Sequence, residues 1–160
     1  MAYRSDRHIV ESLIPIRLLL SVVHFGMAEG SDEAAQLTAW LKAAEAENLA
    51  GCTDAEVRRL ARRSWSVYDR VMAPFLEDET SCAKFGLIVF YLLAELEEQG
   101  IPLFAAGSSF DLAQQALYGP EGTITEMANI AAVDASAQKQ GRRLLRVLQA
   151  EGYFREAVAA

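Results

Sequence analysis

The 160-residue chain is poor in cysteine, histidine and proline, with two, two and four of each. Each scarcity closes a class of explanation. Cys52 and Cys82 stand far apart, with no C-x-x-C and no histidine at metal-ligand spacing. They are read as reduced thiols of a cytoplasmic protein, with a disulfide as the alternative. His8 and His24 fall in one predicted helix more than four turns apart, too far to share a metal. His8 and Glu11 form an i, i+3 pair, but the second Glu-x-x-His of a helical di-iron site is missing. No metal and no cofactor are expected. The phosphate cradles G-x-x-x-x-G-K and G-x-G-x-x-G are absent. Ser108 and Ser109 follow Gly107 without a G-x-S-x-G or a preceding strand, so no nucleophile elbow is supported. Glu95 and Glu98 share a helical face, yet acid-base work also needs a pocket that perturbs them. The reading leans away from an enzyme and assigns no catalytic residue.

No apolar run reaches the roughly 20 residues that a bilayer span needs. The apolar stretch Leu13 to Phe25 follows Arg4 and Arg7, but Asp6, Glu11, Arg17 and His24 are foreign to a secretory signal. The expectation is therefore cytoplasmic, with no membrane. A composition of 52% apolar and 23% charged residues argues against disorder. A net charge of −7 and a pI near 4.9 disfavour a surface laid wholly on nucleic acid or anionic lipid. Local basic faces remain compatible with it.

What is present is helix after helix, with no convincing strand pattern. Lys84 to Glu98, KFGLIVFYLLAELEE, is apolar on almost every side and is predicted to sit at the centre of an all-α bundle. Asp6 to Ala28 carries Ile9, Val10, Leu13, Ile16, Leu20, Val23 and Met27 at helical spacing, with Pro15 either kinking the helix or opening a new one. Ser31 is the expected cap of a second helix with the stripe Leu37, Trp40, Leu41 and Ala44. The capping box Thr53-x-x-Glu56 opens a third, which ends at Pro74. Thr80 or Ser81 is expected to cap the central helix. Glu95, Glu97 and Glu98 at its other end call for a nearby arginine. Gly100-Ile101-Pro102 stops it, and an apolar loop with Leu103 and Phe104 leads to a short helix capped by Ser108 or Ser109. A second capping box, Thr123-x-x-Glu126, precedes a last helix from Ala137 to Glu151, which stops at Gly152. The sum is about six helices in one domain, residues 1–160, divisible into a bundle of 1–105 and a lobe of 106–160.

Two basic clusters stand out. Arg58, Arg59, Arg62 and Arg63 lie within two turns of the third helix. They are expected to pair within the molecule, with Asp54 serving Arg58 and Glu56 serving Arg59. Lys139, Arg142, Arg143 and Arg146 line the last helix and are the candidate nucleic-acid contacts if exposed together. The plainer reading of this second cluster is a solvated helix face. Trp40 and Trp65 lie on or beside buried stripes and are read as packing.

The stretch Glu126-Met127-Ala128, Val133-Asp134, the arginine-bearing helix, then Leu145, Leu148, Gly152, Tyr153 and Phe154 resembles the helix-turn-helix core of winged-helix proteins. The interval from Val133 to Gly152 is about one helical turn longer than in that pattern. Six residues follow Phe154, too few for a wing. The resemblance implies a scaffold for DNA binding or for dimerisation. The leading functional expectation is a non-catalytic interaction or regulatory protein that self-associates as a homodimer through an apolar helix face. The second is a DNA-binding regulator using the C-terminal helix. The first predicts an exposed apolar patch, and the second predicts arginines exposed together.

Overall fold

A computed structural model describes residues 5–26, 30–76, 85–101, 107–119, 122 and 135–155. Among them are six helices and no strand: α1 Asp6–Gly26, α2 Asp32–Asn48, α3 Asp54–Leu76, α4 Phe85–Glu98, α5 Ser109–Tyr118 and α6 Ala135–Ala150. This is the all-α bundle expected from the helical periodicity. The buried apolar side chains among the described residues join in a continuous core.

Its axis is α1. Every residue from Leu13 to Leu19 is buried, because α2, α3 and α4 all pack against this helix. The sequence assigns the centre to α4, which instead lies between α1 and α6 and makes its most extensive contact with α6. Length explains the exchange. A helix of 21 residues has room for three neighbours, whereas α4 has 14 and turns its glutamate end toward solvent. The helix α1 runs through Pro15 without a break. Pro74 likewise falls inside α3 and not at its end. Proline forfeits its own N–H but its φ is helical, so a final turn persists.

The predicted caps and glycine stops hold where they are described, although α3 runs past Pro74 and the last helix starts at Ala135. Ser31 accepts from the Ala34 amide and starts α2. At α3 the Thr53 amide donates to Glu56 Oε1 at 3.0 Å while the Glu56 amide donates to Thr53 Oγ1 at 3.2 Å, a reciprocal capping box. Of the two serines offered as the cap of α5, it is Ser108 that accepts from the Asp111 amide. Gly100 ends α4 with φ of 71°, and the Ile101 amide returns to the Leu96 carbonyl at 3.0 Å. Gly152 repeats the device after α6, with φ of 97° and the Tyr153 amide bonded to the Leu148 carbonyl at 3.0 Å. This turn sends Tyr153 and Phe154 into the core.

The seating of α6 depends on one glycine. A Cβ at Gly141 would lie 2.8 Å from the Ile88 carbonyl oxygen and 2.9 Å from Tyr91 Cβ. The missing side chain therefore sets how closely α6 lies on α4. Ala137, Leu144, Leu145 and Leu148 flank that contact and are buried, which turns the opposite side of α6 outward.

Candidate functional site

That outward side carries Lys139, Arg142, Arg143 and Arg146, all exposed. Their spacing of i, i+3, i+4 and i+7 puts them on one stripe. No aspartate or glutamate lies within α6 itself. A carboxylate does approach it from outside: Glu95 at the C-terminal end of α4, whose Oε2 is 3.7 Å from Arg142 Nε. This is the arginine that the acidic helix end called for. Of the two glutamates on that helical face, Glu95 is thus engaged and Glu98 is exposed. Lys139 and Arg146 make no ion pair among the described residues.

The outer side of α3 is also cationic, with Arg58, Arg59, Arg62, Arg63 and Arg70 exposed. Some of these pair within the molecule, though across helices and not at the i−3 and i−4 positions the sequence suggested. Arg59 Nη2 lies 3.0 Å from Asp6 Oδ2 in α1. Glu56 is occupied instead with the backbone and hydroxyl of Thr53, which, with Arg59 nearby, hold its carboxylate below the ordinary range. Arg70 grips Glu151 with two nitrogens, at 2.9 and 2.6 Å. That hydrogen bonding holds the Glu151 carboxyl below its ordinary value and raises the guanidinium. Arg63 Nη2 donates to the Tyr153 hydroxyl at 3.5 Å, and Arg7 Nη1 donates to the Gly152 carbonyl at 3.0 Å. The turn after α6 is thus held by arginines from α1 and α3. Arg58 and Arg62 have no such partner among the described residues.

Between α1, α2 and α3 lies a polar group that sequence reasoning did not assemble. Arg17, a foreign residue in an apolar run, is 1% exposed. It pairs with Glu45 of α2, donates from Nε to Ser64 Oγ at 3.1 Å, and places its guanidinium 4.6 Å from the centre of the Trp65 ring. The Ser64 hydroxyl in turn donates a hydrogen bond to the Ala61 carbonyl at 2.7 Å. One turn along, Ser21 and the Tyr68 hydroxyl are 2.6 Å apart, and Tyr68 meets Trp65 edge to face at 5.4 Å. Burial requires such pairing of a charge. Trp65 is therefore not simple packing: one face covers Arg17, yet 38% of the residue stays accessible.

No family model matches the sequence, and neither the curated proteins nor the solved structures contain a significant match to it.

The remaining candidates fall elsewhere. His24, although it lies on an apolar helix, is exposed. With Leu20, Val23, Ala34, Ala39 and Lys42 it lines an open groove of about 710 Å³ between α1 and α2. Arg17 belongs instead to the buried network. His8 bonds to Ser5 Oγ at 2.9 Å. Ser109 donates to Glu47 at 2.7 Å. Among the described residues no three metal-ligating side chains come together, and no helix is long and apolar enough to cross a membrane. Among the described residues the large exposed hydrophobics are Trp65, Leu112 and Val147, on α3, α5 and α6. The first helix of the helix-turn-helix resemblance, with Glu126-Met127-Ala128 and Val133-Asp134, lies outside the described residues. So do Thr80, Ser81, Cys82, Leu103, Phe104 and the Thr123 box.

Proposed function

We propose that this chain is a regulatory binding protein of the cytoplasm that engages the phosphate backbone of nucleic acid through α6. One observation carries the reading. Lys139, Arg142, Arg143 and Arg146 form a single exposed stripe on a helix that has no carboxylate of its own and is braced from behind through Gly141. Cations fixed at one-turn spacing on a rigid rod can displace condensed counterions without first ordering a loop. The overall charge of −7 limits long-range steering, so the contact is local and sensitive to salt. The test is the anisotropy of a labelled generic duplex at low salt, titrated with the wild type and with a variant carrying alanine at all four positions. Binding by the first and not by the second supports the reading. Equal binding by both, or none by either, removes it.

Self-association is the second reading, and the groove between α1 and α2 favours it. Its lining is largely apolar and small, and Ala35, Ala39, Ala43 and Ala46 leave the neighbouring face of α2 low enough for another helix to approach. Sedimentation equilibrium would then show a dimer that Ala39→Glu converts to monomer. A monomer at every concentration of the wild type removes this reading.

A further inference from the structure

The nucleic-acid reading rests on charge and leaves the exposed indole of Trp65 unexplained. Trp65 is built into the fold as a rigid plate. Arg17 lies under one face at 4.6 Å, and the Tyr68 ring stands against it at 84°. Arg17 is itself fixed by Glu45 and Ser64, so the plate has little freedom to turn. The accessible part of the ring lines a shallow depression of about 690 Å³ with Arg62, Ser66, Asp69 and Arg70. An aromatic plate beside guanidinium groups is the combination that holds a base by its π-face and its backbone by its phosphates. Asp69, an acceptor only, faces the same space and suits a base that presents N–H groups. Arg70 is already shared with Glu151, which leaves Arg62 as the phosphate-facing cation.

We infer that Trp65 is a stacking platform for an unpaired nucleobase, so that this surface takes single-stranded nucleic acid with Arg62 on its backbone. The inference rests on the nucleic-acid reading of α6, but the two fail separately. A base stacked within a duplex has no free face to offer. The platform therefore distinguishes single strands from duplexes, whereas the α6 stripe does not.

The chain has two tryptophans, so Trp40→Phe leaves Trp65 as the sole indole emitter. In that protein a short single-stranded cytosine oligomer quenches the emission, and an abasic oligomer of the same length leaves it unchanged. By anisotropy, Trp65→Leu, which keeps an apolar cover over Arg17, weakens binding of the base-bearing oligomer roughly 5- to 150-fold. Trp65→Phe retains most of the affinity. If both oligomers bind alike and the emission does not move, the platform is overturned and the α6 reading stands. A duplex that binds while single strands do not has the same meaning. Should no nucleic acid of either kind bind at low salt, both inferences fall together.

Discussion

Arg17 of α1 and Glu45 of α2 form an ion pair in which the arginine side chain is 1% exposed and the glutamate 31%. The pair ties the central helix to its neighbour at the level where Ser64 and Trp65 of α3 close over it. A charge this deep is tolerated only while it is paired.

Removing one partner is therefore worse than removing both. Glu45→Ala leaves the guanidinium buried without its counter-ion and lowers stability by about 3 kcal/mol, the low end of the range for buried pairs because Glu45 is part-exposed. The double variant Arg17→Met, Glu45→Leu recovers most of that loss. Urea unfolding of the two proteins measures the difference. Equal destabilisation would show that the charge is not what Glu45 satisfies.

Gly141→Ala opposes two effects. Alanine is a better helix former than glycine by about 1 kcal/mol. Its Cβ would meet the Ile88 carbonyl oxygen at 2.8 Å, a backbone atom that moves only if α4 does. The strain prevails and the variant unfolds more easily by a net ~1 kcal/mol or more. Thermal unfolding reads this directly, and a stabilised variant would mean that α6 is seated less tightly.

The grip of Arg70 on Glu151 makes the turn after α6 sensitive to acid. The carboxyl is held below its ordinary 4.5 in the folded state. Its contribution is complete above that value and is lost as pH falls through the depressed one. Glu151→Gln removes this dependence, so the wild type and the variant converge in stability at low pH and separate at neutral pH. Unfolding midpoints between about pH 2 and pH 7 test it, and parallel curves would contradict it.

Local chemistry made much of the fold legible. Ser31, Thr53, Gly100 and Gly152 act where their side chains or their lack of one dictate, because caps and left-handed turns are decided within a few residues. The stripe of Lys139, Arg142, Arg143 and Arg146 was legible for the same reason, since helical spacing alone puts the four together. What failed to show was pairing at long range. Nothing near Arg17 points to Glu45, 28 positions on, and nothing near Arg59 points to Asp6. The choice of α1 over α4 as the axis turned on length, 21 residues against 14, a signal present in the sequence that the all-round apolarity of α4 outweighed. Trp65 looked like packing because one of its faces does pack. Its open side depends on which neighbours cover it, which helical spacing does not report.

The central claim is a direct contact between α6 and phosphates, and the salt dependence of duplex binding tests it most directly. Neutralising about four phosphates predicts that affinity falls roughly 100-fold between 50 and 200 mM salt. Replacing Arg146 with alanine then lowers the slope of log K against log salt by about 1. Affinity that does not change over that range, or a slope indifferent to Arg146, would contradict the account.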